Sequence, residues 1–286
     1  MNTKPKIYVV CGPTSSGKSD YAVELAKKCN GEVISADSRQ VYIGMDLGTG
    51  KITKEEMDGI PHHLLDIKKP NEDFSVEEFQ RLAFEKIEDI LSRGKVPILC
   101  GGTGFYIQSV TDNVIFQEIK PNKDLRAELE EKSIGELKEI LSKIPKEEGA
   151  KVDTENKRRL IRAIEIGKHM GTLACIKRGE QKYDFEFTYL DFPDEILKER
   201  INQRLEKRLK AGMIDEVKRL HEEGVSWTKL ESFGLEYKYI AQFLQGKTEG
   251  DNLSEQYGRM KEEIKIKSRQ YAKRQRTWFK RVLKKN

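Results

Sequence analysis

The sequence predicts an α/β protein with a parallel sheet of the P-loop NTPase or kinase-like type, flanked by helices and carrying an all-helical insertion domain. Three observations predict this fold class. A phosphate-binding motif follows a short apolar run, further apolar runs alternate with helical patterns, and strand-like runs give way to helical spacing between about residues 112 and 184. Strands that alternate with crossover helices form parallel sheets, and ligands gather at the carboxyl ends of those strands.

Composition limits the classes of protein to which the chain can belong. Of its 286 residues 35% are charged, and the formal net charge is +5. No apolar run approaches the roughly 18 residues of a membrane span. The four cysteines are scattered without a Cys-x-x-Cys pair, which favours free thiols over a zinc site or a disulfide framework. Because no leader pattern precedes the first apolar run, we expect a cytoplasmic enzyme. We also expect a monomer without membrane contact.

The first predicted strand covers residues 7–11 and leads into a phosphate-binding loop. This loop has the pattern G-x-x-x-x-G-K-S and consists of Gly12, Pro13, Thr14, Ser15, Ser16, Gly17, Lys18 and Ser19. Its glycines let consecutive N–H groups curl around phosphate oxygens at the start of a helix predicted over about residues 18–28. Lys18 adds a positive charge, and the hydroxyl of Ser19 suits a Mg²⁺ ion that bridges phosphate oxygens.

Two further strand-like runs end in polar turns at the same predicted edge of the sheet. The run 32–36 ends at Asp37, whose carboxylate is placed to accept a proton or to hold Mg²⁺ through water. Capping of the turn is the alternative role for this residue. The run 96–100 ends in the motif GGTG at 101–104, which resembles a second phosphate cradle and fits a tight strand-to-helix turn almost as well.

Helical patterns fill the rest of the chain. Ser75, with Glu78 three residues later, predicts a helix that continues to about residue 93. Residues 112–185 are predicted to form the helical insertion, so that 1–111 and 186–286 make the two parts of the core. The core is expected to resume with a strand over 187–192 and one long helix from Pro193 to about residue 223.

Three arginines lie along that long helix beside an apolar stripe, at Arg200, Arg204 and Arg208. Guanidinium groups bind phosphate through two parallel hydrogen bonds, so such a row suits a diphosphate or a transferring phosphoryl group. A solvated face whose arginines pair with nearby glutamates is the alternative.

The C-terminal segment 260–286 is strongly basic. It contains eleven Lys or Arg residues, Lys284 and Lys285 among them, against two Glu, and Tyr271, Trp278 and Phe279 are interleaved with them. A basic helix with aromatic side chains can neutralise a phosphate backbone and offer stacking faces to bases. A terminal helix that packs its aromatic residues inward is an equally good interpretation.

Taken in order, these motifs resemble the tRNA dimethylallyltransferase family, also called tRNA isopentenyltransferases or IPP transferases. The resemblance covers nearly the whole chain. It is carried by GPTSSGKS at 12–19, ADSRQVY at 36–42 with MDLGT at 45–49, PHHLLD at 61–66, GGTGFY at 101–106, and the helical segments 156–165 and 200–217. Members of this family have a P-loop kinase-like core with a helical insertion that grips the anticodon arm.

The resemblance implies prenyl transfer to RNA. Dimethylallyl diphosphate would give its five-carbon group to the exocyclic N6 amine of the adenosine just 3′ of the anticodon, and diphosphate would leave. Lys18, Arg204 and Mg²⁺ at Ser19 would stabilise the leaving charge, while Asp37 would accept the proton of the amine.

The resemblance also implies a set of contacts with the anticodon stem-loop of tRNA. An adenine in a stacked loop must swing out to reach a strand-edge site, which requires the protein to hold the RNA on both sides. The residues that match the RNA-contacting positions of the family are Asp37, Ser38, Arg39, Gln40, Thr103, Arg126, Arg158, Arg159, Leu160, Ile161 and Arg162.

The chain departs from the common family pattern at two places. After Arg204 most relatives have a small apolar residue, an aspartate and a methionine, whereas this chain has LEKR at 205–208, with Glu206 in place of the aspartate. At 233–237 it has FGLEY where commoner relatives carry a different glycine-containing motif. These departures bear on substrate preference and efficiency more than on the class of reaction.

Other functions remain alternatives at this stage. A P-loop kinase for a nucleotide or small metabolite explains the first half of the chain, with the arginine row as lid residues. A nucleotide-gated RNA-binding switch would need a guanine-reading motif, Asn-Lys-x-Asp, that the sequence lacks. Free AMP is also an acceptor for related enzymes, although the insertion favours RNA.

Overall fold

The structure is a computed structural model that describes residues 4–117, 119–173 and 175–283. Its strands are β1 (Lys6–Cys11), β2 (Gly31–Ser35), β3 (His62–His63), β4 (Val96–Gly101), β5 (Val114–Ile115), β6 (Lys177–Arg178) and β7 (Asp184–Tyr189). Its helices are α1 (Lys18–Cys29), α2 (Lys54–Met57), α3 (Val76–Ser92), α4 (Gly104–Thr111), α5 (Lys123–Glu130), α6 (Ile134–Ser142), α7 (Lys157–Met170), α8 (Asp194–Lys210), α9 (Met213–Glu222), α10 (Trp227–Phe233), α11 (Leu235–Leu244) and α12 (Leu253–Leu283).

Five strands form a parallel sheet in the order β3-β2-β4-β1-β7, which confirms the predicted fold class. Alternate side chains of β1 point to opposite faces, as the period of a strand requires. Ile7 and Val9 join Phe79 of α3 and Phe279 of α12 in one hydrophobic cluster, while Val10 joins Ala22 of α1 in another. The sheet is therefore buried on both faces, and its carboxyl edge carries the loops that follow β1, β2 and β4.

The chain divides into two compact units. The first comprises Met1–Thr111 with Gln181–Asn286, and the second is Asp112–Glu180. The second unit has its own core, built from α5, α6 and α7 around side chains such as Leu129, Leu137 and Leu160. It also contains a short antiparallel ribbon of β5 and β6, which the helical spacing of this segment did not predict.

Two elements after the insertion differ from the sequence-based expectation. The returning strand is β7 at Asp184–Tyr189, whereas 187–192 was predicted. Because β7 is an edge strand beside β1, its outward residues are polar. Polar and apolar residues therefore alternate along it, and its first half does not form the continuous apolar run by which the strand was predicted. The predicted long helix is two helices, α8 and α9, because Gly212 takes a φ of 96° and interrupts the helix between them.

Two predicted helix starts, one in each unit, agree with the structure. The hydroxyl of Ser75 accepts the N–H of Glu78 at 3.0 Å, and the side chain of Asn156 accepts the N–H of Arg159 at 3.2 Å. Both are N-cap contacts of the kind that satisfy a free N–H in the first turn. Among the described residues, no helix is long and apolar enough to cross a bilayer.

Candidate active site

Two glycines shape the loop between β1 and α1. Gly12 has a φ of 154°, and a Cβ there would lie 2.1 Å from the carbonyl oxygen of Leu190. Gly17 has a φ of 75° at the N-cap of α1. A side chain at either position would strain the backbone, so the tight curve of this loop depends on both glycines. The curve leads into the N-terminus of α1, which favours anions.

Lys18 is folded back onto this loop. Its Nζ donates a hydrogen bond of 2.6 Å to the carbonyl oxygen of Pro13. Burial lowers the pKa of Lys18 to about 8, and the positive charge of Arg204 contributes to the same shift. An anion bound here would raise that pKa again, since it would stabilise the ammonium form.

Asp37 follows β2 and organises the turn behind it. Its Oδ1 accepts the N–H of Arg39 at 2.8 Å and the N–H of Gln40 at 3.4 Å. The N–H of Ser38 donates to Oγ1 of Thr103 at 3.2 Å, which ties this turn to the loop after β4. The structure thus brings together all five predicted site residues of these two loops, with the Asp37 carboxylate at the pocket.

The side chain of Gln40 extends this arrangement along the pocket wall. Its Nε2 donates to the carbonyl oxygen of Gly50 at 3.2 Å, and its Oε1 accepts the hydroxyl of Ser35 at 3.1 Å. Glu216 of α9 holds the loop before Gly50 from behind, since its carboxylate accepts the N–H groups of Asp46, Leu47 and Gly48. The loop that forms this wall is therefore held by Gln40 on the pocket side and by Glu216 on the opposite side.

Arg204 and Arg208 reach the pocket from α8. Arg204 donates to the hydroxyl of Thr14 in the phosphate-binding loop. Burial, and next the positive charge of Arg208, lower the pKa of Arg204 to about 9. Arg208 is 9% exposed and lies 3.6 Å from Glu236. The third residue of the predicted row, Arg200, is exposed and stacks on Phe192 with 4.0 Å between guanidinium carbon and ring centroid.

Gln275 of α12 joins two loops of the site, a role that the sequence analysis missed. Its Oε1 accepts the N–H of Thr14 at 2.8 Å, and its Nε2 donates to the carbonyl oxygen of Gly102 at 2.9 Å. A Cβ on Gly102 would lie 2.4 Å from that Nε2, so a larger residue there would displace the side chain of Gln275 from this contact. The sequence feature that could have indicated this role is a polar residue at a position of the buried stripe that runs from Ala272 to Phe279.

These residues surround one open cavity within the first unit, whose empty space is about 900 Å³ when the adjoining solvent is included. Its lining combines cationic groups, two carboxylates and a smaller apolar area. The lining residues are Thr14, Lys18, Ser19, Val33, Ser35, Asp37, Arg39, Gln40, Gly48, Thr49, Gly50, Ile52, His62, Leu65, Cys100, Gly101, Gly102, Arg204, Arg208, Glu236, Tyr271 and Gln275. An excess of buried positive charge at the edge of a parallel sheet suits a small, multiply charged anion.

In the second unit, two of the arginines predicted to bind RNA surround a buried carboxylate. Arg126 donates to Glu165 at 2.7 and 3.0 Å, and Arg162 also donates to it. Glu165 is 2% exposed. Burial by itself raises the pKa of Glu165, but the hydrogen bonds from both arginines outweigh it and lower that pKa to about 2. These two arginines therefore hold the unit together, in addition to any contact with RNA.

The remaining predicted residues of α7 divide into exposed and buried ones. Arg158 is exposed, and so is Arg159, which pairs with Asp153 at 2.8 Å. Leu160 and Ile161, however, are 0% and 3% exposed in the core of the unit. The prediction that these two side chains contact RNA is therefore wrong, because the apolar face of an amphipathic helix turns toward the core. They support the helix that presents the two exposed arginines.

The basic C-terminal helix α12 packs its aromatic residues inward, which is one of the two interpretations of its sequence, and its contact with RNA stays a prediction. Phe279 is buried in the core, and Trp278 lies against Gly104, where a Cβ would be 2.1 Å from the indole ring. Arg276 pairs with Asp191 at 2.8 Å, so this charge serves the fold. Lys284 and Lys285, which belong to the predicted basic segment, lie outside the described residues.

Comparison with known proteins gives consistent matches. A family model described as IPP transferase matches residues 40–282. The chain is 43% identical over 280 residues to tRNA dimethylallyltransferase 1 of Syntrophus aciditrophicus, covering 96% of this chain and 90% of that protein. It is 44% identical over 279 residues to the tRNA dimethylallyltransferase of Anoxybacillus flavithermus, covering 96% of this chain and 87% of that one.

Solved structures agree with these matches. The full-length tRNA isopentenylpyrophosphate transferase of Bacillus halodurans has a TM-score of 0.69 and 40% identity, covering 97% of this chain and 87% of that chain. A eukaryotic dimethylallyltransferase acting on tRNA has a TM-score of 0.76 and 29% identity, covering 96% of this chain and 69% of that chain.

Proposed function

Since this chain belongs to the IPP transferase family, we propose that its sheet-edge pocket transfers the dimethylallyl group of dimethylallyl diphosphate to the N6 amine of the adenosine 3′-adjacent to the anticodon of tRNA. Prenyl transfer to tRNA is the activity of the chain. The observation that carries the finer assignment is the presence of a phosphate-binding loop, the Arg204 guanidinium and the Asp37 carboxylate in one cavity.

The cationic half of the cavity takes the diphosphate. The N-terminus of α1, Lys18 and Arg204 all present positive charge there, and no competing carboxylate is hydrogen-bonded to Lys18 or Arg204 within the described part of the chain. Negative charge grows on the leaving oxygen as the allylic carbon–oxygen bond breaks. Fixed cations therefore stabilise the transition state more than the bound donor.

Asp37 acts on the acceptor. The N6 amine of adenine is a poor nucleophile because its lone pair is delocalised into the ring. As the N6–C1 bond forms and the C1–O bond breaks, Asp37 accepts one N6 proton and the electron pair of the broken bond leaves with diphosphate. The hydrogen bonds that Oδ1 accepts from Arg39 and Gln40 fix the carboxylate for this task.

The donor set of the cavity fits Mg²⁺. The ion prefers hard oxygen ligands and keeps several waters, which matches the hydroxyl of Ser19 and the oxygens of the diphosphate. The described residues contain no cluster of three His, Cys, Asp or Glu residues, so the protein alone does not form a metal cage. When bound, Mg²⁺ would supply further positive charge for the leaving group.

The RNA is held by both units. The cavity is open to solvent, so an adenine that swings out of its loop can approach the donor from the open side. Around the cavity mouth we assign Ser38, Arg39, Gln40 and Thr103 to the target nucleotide. In the second unit we assign the exposed Arg158 and Arg159 to the phosphate backbone. A tRNA substrate also favours the expected cytoplasmic location, and we expect the monomer to be sufficient.

The kinase alternative finds no support in the relatives, whose names describe transfer of a dimethylallyl group. The two functions differ in what they consume. A kinase uses ATP, whereas a prenyltransferase needs only the allylic donor and the acceptor.

The test supplies radiolabelled dimethylallyl diphosphate and Mg²⁺ with three alternative acceptors: tRNA that carries the adenosine, the same tRNA with guanosine at that position, and free AMP. We expect label only in the first, with no ATP consumed. Label in AMP alone would reassign the acceptor to a free nucleotide. ATP consumption without label transfer would refute the proposal.

A further inference from the structure

Arg208 and Glu236 form a buried ion pair on the wall of the pocket. The two side chains are 10% and 12% exposed, and the closest nitrogen–oxygen distance is 3.6 Å. That distance is longer than a hydrogen bond, so the two groups are coupled electrostatically without being locked together. Both residues line the cavity that also contains Lys18 and Arg204.

The guanidinium of Arg208 occupies the space where a side chain at position 50 would lie. Gly50 has a φ of 61°, and a Cβ at that position would lie 1.3 Å from Nη2 of Arg208. The guanidinium therefore lies directly against the loop that Glu216 fastens through three backbone N–H groups. The positive φ of Gly50 already favours a glycine there, and the absence of a side chain lets the guanidinium of Arg208 lie against the backbone of this loop.

The charged groups that line the cavity are unbalanced without an anion, because four cations face only the two carboxylates of Asp37 and Glu236. Arg208 lies close enough to affect Arg204: burial first, and then Arg208, lower the pKa of Arg204. Glu236 acts in the opposite direction on both arginines. Since a buried guanidinium stays charged only with compensation, Glu236 supplies part of that compensation while the pocket holds no ligand.

We propose that Arg208 is a second guanidinium for the diphosphate, and that Glu236 is a positioning residue that offsets the repulsion between Arg204 and Arg208 until the diphosphate arrives. This inference rests on the proposed binding of diphosphate in the pocket. It assigns opposite effects to the two partners of one ion pair. Arg208 favours the bound state, whereas the carboxylate of Glu236 favours the free state.

The consequence is a pair of substitutions with effects of opposite sign. Arg208→Gln removes one cation and leaves Glu236 unpaired beside the anion, so pyrophosphate should bind at least about tenfold more weakly. Glu236→Gln removes a competing anion, so pyrophosphate should bind about three- to tenfold more tightly. In the double variant the two effects should largely cancel. A merely structural role would weaken binding in both single variants.

Calorimetric titration with pyrophosphate at fixed Mg²⁺ measures these affinities. The matched control is Glu206→Gln on the same helix, because Glu206 pairs with Lys261 at 2.8 Å and is not part of the cavity lining. The affinity of Glu206→Gln for pyrophosphate should stay within about twofold of that of the unsubstituted protein, because the ion pair that this variant loses is accessible to solvent. The thermal shift caused by pyrophosphate is the second measurement, and it should be larger for Glu236→Gln and smaller for Arg208→Gln.

The outcomes separate the two proposals. If the unsubstituted protein fails to bind pyrophosphate, the proposed function itself is wrong. If it binds and both single variants lose affinity, or if Arg208→Gln binds normally, the assignment of this ion pair is overturned while the proposed function stands. A gain with Glu236→Gln beside a loss with Arg208→Gln supports the assignment.

Discussion

The pocket of the first unit and the core of the second unit use arginine in opposite ways. In the pocket, Arg204 donates to a neutral hydroxyl on Thr14, and Arg208 stands 3.6 Å from its carboxylate. In the second unit, Arg126 and Arg162 both donate hydrogen bonds to Glu165, which is 2% exposed.

This difference distinguishes two functions of one side chain. A guanidinium that already donates its hydrogen bonds to a buried carboxylate stabilises the fold. A ligand must compete with that carboxylate to bind the guanidinium. A buried guanidinium with incomplete compensation gains most when an anion binds. The family pattern assigns arginines in both units to substrate binding. The contacts instead leave the arginines of the pocket available to an anion and tie Arg126 and Arg162 to Glu165.

Among the effects that bear on this comparison, the largest comes from the cation at the centre of the pocket. Lys18→Met removes the ammonium group and keeps much of the apolar stem. We expect kcat for prenyl transfer to fall by about 10²- to 10³-fold, the usual loss when one fixed group that stabilises a transition-state charge is removed. Single-turnover transfer to tRNA measures it, and a tenfold loss or less would place the leaving-group charge elsewhere.

The second expected effect concerns the fold of the second unit. Glu165→Gln leaves Arg126 and Arg162 around a neutral amide, and we expect a loss of about 2–3 kcal/mol in the free energy of unfolding of that unit. Asp153→Asn is the control, because it breaks the exposed ion pair with Arg159 and should cost less than about 1 kcal/mol. Urea unfolding followed by circular dichroism measures both, and equal effects would contradict a special role for Glu165.

A third effect tests the connection through α12. Gln275→Ala leaves the N–H of Thr14 and the carbonyl of Gly102 without their partner, at a cost of about 1–3 kcal/mol. We expect the KM for the donor to rise about tenfold, since the phosphate-binding loop loses a support. Thr277→Ala on the exposed side of the same helix is the control and should leave donor KM unchanged.

The smallest effect is a pH dependence. Burial lowers the pKa of Lys18 to about 8, so the free protein carries this charge below pH 8 and loses it above. Because the diphosphate binds the ammonium form, donor KM should rise about three- to tenfold between pH 8 and pH 9. Lys18→Arg keeps its charge over this range, so it should show a flatter profile. Matching profiles for both proteins would assign the titration to another group.

The sequence predicted the first unit well because its motifs are properties of the backbone. A glycine pattern after an apolar run specifies a loop at a helix N-terminus, and strand ends in a parallel sheet meet at one edge. Asp37 and Thr103 came together for this reason. The break at Gly212 was missed because a single glycine inside a helical pattern does not by itself reveal a change of direction.

Contacts between distant segments could not be predicted in the same way. The two departures from the family pattern, at 205–208 and 233–237, meet in the fold as the ion pair of Arg208 with Glu236. Arg208 was predicted only as one of a row of three arginines that suits a diphosphate, and Glu236 was not assigned to the site, because it looks like a solvated charge on a helix. Glu206, which takes the place of the family's aspartate, instead pairs with Lys261 of α12. Only the tertiary packing distinguishes these cases.

The most direct test of the central claim separates binding of the donor from chemistry at Asp37. Asp37→Asn keeps an oxygen that can accept the N–H groups of Arg39 and Gln40, but it removes the proton acceptor. We expect pyrophosphate affinity within about threefold of the unsubstituted protein and a single-turnover rate of prenyl transfer to tRNA lower by about 10²- to 10⁴-fold. Transfer at the original rate with intact binding would contradict the account.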